Sequence, residues 1–247
     1  MPRITPFRLA TACALAFSLT LVWAAAAAAT GFKAELRVVG AGGKVLAERP
    51  VATATTEVKT SPKATCFGPG SGGSGKAVSI KGNTAMGLLA RASEAVPALS
   101  PLLISDHFDF GLALCGIGRS VARGKASWYL KIDHKPVSVG GDAATVHPGD
   151  EVLWDLAPSY PYPDELVLEG PSSAKAGVPF AVRVLAYDEK GRSKPAVGVK
   201  VTGASEATGK DGRTTVTLKR PVRLIARAAG EIPSARLPVC LGGKCPK

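Results

Sequence analysis

The chain has 247 residues, of which 46% are hydrophobic and 20% charged, and 31 Lys and Arg against 19 Asp and Glu give it a formal net charge of +12 at pH 7. That length holds one large or two small domains, each able to bury a core. Beyond the first thirty residues there is no apolar span, and no compact Lys/Arg run carries the charge, so neither a membrane-embedded chain nor a nucleic-acid reader is expected.

Arg3 and Arg8 open the chain without an acid, Leu9 to Trp23 is apolar, and Ala24 to Ala29 offers small-x-small cleavage sites. This order is that of a secretory signal peptide over residues 1–29, and a secreted or cell-surface product is expected. The alternative is an uncleaved anchor, since Leu9 to Ala29 is long enough to span if tilted. Loss of the signal removes two arginines and leaves 29 basic and 19 acidic residues, a balance of +10. Residues after 158 hold 15 basic and 8 acidic groups, so +7 of the excess lies there. Such a charge favours anionic envelope polymers, or simply a solvated surface.

Four cysteines remain after cleavage: Cys66, Cys115, Cys240 and Cys245. An even count in an exported chain implies two disulfides. Cys240 and Cys245 enclose a short Leu-Gly-Gly-Lys loop that can fold back on itself, which leaves Cys66 with Cys115. Neither pair has the two-residue spacing of common structural zinc sites, so no metal and no cofactor is expected.

Along the chain, Ala34, Leu36 and Val38 alternate with Glu35 and Arg37 as a first strand, and Lys44 to Glu48 returns after a glycine turn. Val51 to Lys59 and Ala77 to Ile80 read as further strands. Gly68 to Gly75 reads as a flexible surface loop. Asn83, the only asparagine, stands at an expected helix N-cap. Ala85, Leu88, Leu89, Ala92 and Val96 then recur at helical spacing, and Pro97 ends the helix. Leu103 to Gly118 reads as loop and strand beneath the sheet. Trp128, Leu130 and Ile132 alternate with Tyr129 and Lys131, Val137 and Val139 restart the pattern, and Val152 and Trp154 share a face of a last strand after a Pro148-Gly149 turn.

The Trp128-Tyr129 strand, Val139 to Asp142, Pro148 to Trp154 and the helix-opening Gly82 to Leu89 occur in the order seen in one family. Residues 31–156 resemble the small β-grasp domain at the C-terminus of transcobalamin and intrinsic factor, which recurs in secreted bacterial proteins of unassigned function. The family has Asn-Gly where this chain has Asp133-His134, so a turn of another type is expected here. In the vitamin-binding relatives this domain covers one side of a bound ligand, which implies a binding face.

Residues 158–164 are proline-rich and read as a stiff linker. Leu166 to Glu169, Phe180 to Tyr187, Val197 to Thr202, Arg213 to Leu218, Val222 to Arg227 and Ala235 to Val239 then read as short strands of a β-sandwich. The Lys210-Asp-Gly-Arg turn resembles bacterial immunoglobulin-like modules. The expected architecture is therefore mainly β with one helix: a β-grasp domain over 30–157, the linker, and an immunoglobulin-like β-sandwich over 165–247.

The candidate chemistry is sparse. Gly70 to Lys76 approaches a phosphate-binding loop, but Ala77 lacks the hydroxyl that would hold magnesium. The same Gly/Ser run resembles a Gly-x-Ser-x-Gly motif without the strand and helix that motif requires. Asp106, His107 and Asp109 form the densest polar cluster, yet neighbours on an extended segment diverge. Trp128 and Trp154 read as core. Tyr129, on the opposite phase, is the surface candidate, and with Phe108 and His107 it forms the expected ligand-binding set. Arg220, Arg223 and Arg227, the last two on one strand face, are the expected contacts to an anionic surface. The function expected is non-enzymatic binding or surface interaction at the cell envelope, with a small ligand, an envelope polymer or an envelope protein as partner. The alternatives are a cobalamin-type small-ligand binder and an extracellular hydrolase.

Overall fold

Lys33–Gly40 (β1) and Lys44–Ala52 (β2) form an antiparallel hairpin. The computed structural model to which they belong describes residues 31–246 together with Met1. The export signal expected over residues 1–29 lies outside the described residues but for that methionine. From Gly31 onward the chain forms one compact unit.

After β2 come Thr56–Lys59 (β3), Ala77–Ile80 (β4), the helix Ala85–Ala95 (α1), Leu102–Phe108 (β5), Gly111–Ile117 (β6) and Ser120–Val121 (β7). Ser127–Ile132 (β8), Lys135–Pro136 (β9) and Glu151–Ala157 (β10) complete the first part. The main sheet has the order β2-β1-β10-β8-β9, and its central pair, β1 and β10, is parallel. Alternation along these strands gives the sheet two different faces. Leu36, Val38, Leu130, Val152 and Trp154 point to one side, where they join Met86, Leu88, Leu89 and Ala92 of α1 and Ile104 and Ile117 of the β5-β6 hairpin in one apolar cluster. A disulfide joins Cys66 to Cys115 of β6.

Three local readings are corrected. The N-cap of α1 is Thr84, whose Oγ1 accepts from Gly87 N at 3.1 Å. Asn83 instead offers its carbonyl to Val146 N. The strand expected over 51–59 is divided, because β2 ends at Ala52 and β3 pairs with β4 rather than with the main sheet. The alternation restarting at Val137 is not a strand: beyond β9 the chain leaves the sheet and passes over Trp154, so closely that a Cβ on Gly141 would lie 2.5 Å from the indole ring.

The second part contains Glu165–Glu169 (β11), Ser173–Ala174 (β12), Phe180–Tyr187 (β13), Ser193–Pro195 (β14), Lys200–Val201 (β15), Arg213–Val216 (β16), Val222–Leu224 (β17), Ala226–Arg227 (β18) and Leu237–Leu241 (β19). Strands β11, β13, β14 and β16 make one sheet, β12, β19 and β17 a mixed one, and β15 pairs with β18. They enclose a second apolar cluster that includes Leu166, Val182, Val184, Val216, Leu224 and Val239. A disulfide joins Cys240 to Cys245. Residues 158–164 connect β10 to β11 without an element of their own, and they pack on both sides: Tyr162 stacks on Tyr129 with ring centroids 4.0 Å apart and Asp164 pairs with Lys194. The fold is thus mostly β, with one α-helix among the described residues and several sheets, two of them mixed.

Gly87 supplies a test of the helix seat. In an open helix, Gly→Ala stabilises by about 1 kcal/mol. Here a new Cβ would meet Lys81 O at 2.0 Å. Overpacking against a fixed backbone costs about 1–3 kcal/mol, so Gly87→Ala is expected to lower stability in urea denaturation.

Candidate functional site

The second face of the main sheet carries Arg37 on β1, Tyr129 and Lys131 on β8, and Leu153 and Asp155 on β10. In an isolated sheet such a polar face would meet water. Here Arg37, Lys131 and Asp155 are 1%, 0% and 3% exposed, because the second part lies over them. Glu165, at the start of β11, is fully buried against that face. Its Oε1 accepts from Arg37 and lies 3.0 Å from His134 Nδ1, while its Oε2 is 3.6 Å from Lys131 Nζ. Arg37 also donates to Glu151 at 2.8 Å and to the Pro233 carbonyl. Lys131 donates to Tyr187 O at 3.1 Å. Val39, Leu153 and Ile232 form a small apolar cluster beside these ions, and Glu48 accepts from Arg236 of the second part at the edge.

Asp133 and His134, the turn between β8 and β9, have φ of +49° and +65°. Two successive positive values mark a type I′ hairpin, so the turn keeps the type that Asn-Gly would give. Left-handed φ at non-glycine residues costs about 1–3 kcal/mol each. The side chains offset this: Asp133 accepts from Glu151 N at 2.9 Å, and His134 reaches Glu165 and lies against Tyr187.

Burial and pairing pull the ionisable groups in different directions. Burial raises the Glu165 carboxyl, but His134, Arg37 and Lys131 outweigh it and the net pKa is lowered. Burial lowers His134, yet its hydrogen bond and attraction to Glu165 leave the net pKa raised. Lys131 is lowered, chiefly by desolvation. Asp155 is pushed up to about 7 by burial, against the pull of Arg37 and Lys131. Ligand atoms of His134, Glu151 and Glu165 lie within 4.8 Å of one another. Glu151 and Glu165 already accept from Arg37, so this group balances internal cations and would have to release Arg37 to take up a metal ion.

A different region gathers aromatic side chains. An apolar groove of about 350 Å³ is lined by Trp128, Leu112, Val137, Gly141, Tyr129 and Tyr162, among others, with Phe67, Phe110 and Val139 also in its wall. Phe67, Phe110 and Val139 are 62%, 70% and 53% exposed. Phe108 stacks on Phe110 at 4.8 Å and meets Phe67 edge-on at 5.4 Å, which ties these rings into one patch. The Trp128 indole N–H, beside this groove, is buried without a hydrogen-bond partner among the described residues.

Of the residues expected to bind ligand, Phe108 belongs to this patch. Tyr129 is not a surface residue: it is 8% exposed, stacks on Tyr162 and donates to Glu189 O. The side of the strand opposite the core is the junction with the second part, which period-two alternation alone does not distinguish from solvent. Burial accordingly pushes the Tyr129 hydroxyl up to about 12. His107 is exposed and meets Phe108 edge-on. Asp106 is turned to Ser74, whose N and Oγ both donate to it at 2.6 Å and lower its pKa. These bonds, with Gly73 N on Ser61 O and Ser105 Oγ on Ser71 O, tie the Gly/Ser run to its neighbours without placing it in a strand or helix.

Arg223 and Arg227 do not share a strand face. The chain switches sheets at Ile225, β17 pairing with β19 and β18 with β15. Arg220 lines a shallow basic recess with Lys175, Lys219 and Lys244. No helix among the described residues is long and apolar enough to cross a membrane. No family model, curated protein or solved structure matches this chain.

The junction makes a signed pH prediction. Asp155 binds its proton more tightly folded than unfolded, so stability falls as pH rises from about 4 to 7, by about 4 kcal/mol in total. His134 adds in the same direction, with stability present below its unfolded value of 6.5 and lost as pH rises through its higher folded value. Asp155→Asn is expected to flatten this decline and to be more stable than the wild type at pH 8 in chemical denaturation.

Proposed function

We propose that this chain is a secreted, non-enzymatic binding protein of the cell envelope or medium, with recognition carried by the aromatic groove of its first part. The first part reads best as a β-grasp module of the transcobalamin C-terminal type. Its sheet order, with the first and last strands parallel at the centre and one helix across a single face, supports that reading. The second part, several short strands around one apolar cluster, reads best as an immunoglobulin-like module that props the β-grasp sheet from behind.

The observation that carries the functional reading is the exposed ring patch of Phe67, Phe108 and Phe110 beside the groove over Trp128. Large exposed aromatics next to a concave apolar surface mark an interaction site. Phe67 follows Cys66 of the Cys66–Cys115 bond, Phe108 ends β5 and Phe110 lies in the β5-β6 turn, so the rings are set on an anchored frame. The groove would take the apolar part of a small ligand, and the unpaired Trp128 N–H would donate to an acceptor on it.

Native mass spectrometry of the protein collected from its host's medium is expected to show a discrete added mass. Phe110→Ser, which removes a ring outside the core, is expected to weaken retention of that mass by tenfold or more, about 1.4 kcal/mol, without changing the urea midpoint. A bare mass for the wild type, or equal retention by the variant, would contradict the proposal.

A further inference from the structure

A second cavity, of about 580 Å³, lies between the two parts and shares only Ala126 with the lining of the aromatic groove. Its walls are largely apolar, among them Val121, Leu156, Ile232 and Pro233. Asp155 lies in this lining, 3% exposed, and its Oδ2 is buried with no hydrogen-bond partner among the described residues. Glu231 also lines the cavity and leaves Oε2 buried and unpaired.

A buried acceptor without a donor is costly and is rarely left so. The cations nearest Asp155 are already engaged. Arg37 donates to Glu151, Glu165 and the Pro233 carbonyl, and Lys131 to the Tyr187 and Asp188 carbonyls. The missing donor therefore has to come from outside the chain. We propose that this cleft binds a small amine, its apolar body against the walls and its ammonium donating to Asp155. An ammonium supplies both the N–H donors and the charge that an ionised, desolvated carboxylate lacks. A carboxylate ligand would meet two buried acceptors. Arg123 and Arg227 also line the cleft, but both are exposed and water screens them.

The pH dependence has a definite sign. Asp155 is faced by Arg37, Lys131 and Glu165, and burial holds it partly protonated near neutrality. Burial also raises Glu231, with Asp164 adding to the effect. An ammonium binds the ionised form, so binding releases the Asp155 proton and affinity climbs with pH.

The test is calorimetric titration of the compact unit from Gly31 onward with benzylamine, benzyl alcohol and benzoate at pH 6 and pH 8. Benzylamine is expected to bind about tenfold tighter at pH 8, following the ionised fraction of a group titrating near 7. Asp155→Asn is expected to weaken it by about tenfold at pH 8 and to abolish the pH dependence. Ala229→Trp, placed on an exposed part of the wall, tests the cavity without touching the carboxyl and is expected to block benzylamine even if Asp155→Asn folds poorly. Preference for benzoate, equal benzylamine binding by Ala229→Trp, or no saturable binding of any of the three would overturn the proposal. None of these results depends on the aromatic groove.

Discussion

The structure depends on one buried carboxylate. Glu165 stands where the second part begins, and it meets Arg37 from β1, Lys131 from β8 and His134 from the β8-β9 turn. Each of those groups is costly to bury alone. Gathered around Glu165, with Glu151 taking a second contact from Arg37, they leave little net charge in the junction. Such a network adds less stability than apolar packing of equal volume, but removing one partner strands the others. It therefore fixes how β11 docks on the sheet more than it strengthens the whole.

This constraint explains features that the individual strands do not. The main sheet is amphipathic in an unusual sense, with an apolar face closed by α1 and an ionic face closed by a second set of strands. Both faces are covered, as in a layered α/β protein, although one cover is itself β. The unfavourable backbone at Asp133 and His134 is retained because it delivers His134 to Glu165 and Asp133 to the β10 backbone. Residues 158–164 are held down for the same reason, since Tyr162 completes the cover over Tyr129.

Much of the architecture was legible in the sequence where a local rule decides it. Alternation located β1, β8 and β10, and the 3.6-residue period with Pro97 located α1 and its end. Mostly-β character with one helix followed from these signals. What was not legible is which face of an alternating strand meets water. Arg37, Lys131 and Asp155 have the types and spacing of solvent-facing residues, and only the arrival of the second part buries them. Tyr129 was misplaced for that reason. The strand read from Val222 to Arg227 failed differently: its pattern is continuous, but its hydrogen bonds pass to another sheet at Ile225. The ring patch was half visible, in Phe108, while Phe67 and Phe110 lacked any periodic signal because they sit on connections.

The central claim is that Glu165 joins the two parts into one cooperative unit. Native-state hydrogen exchange on the wild type and on Glu165→Gln tests it most directly. In the wild type, amides of β10 and of β13 are expected to open with the same free energy, because neither part is released without the other. In Glu165→Gln, β11 and β13 are expected to lose protection first, while α1 and β1 keep theirs. Unchanged and equal protection of both parts in the variant would contradict the account, because the junction would then be held by its apolar contacts alone.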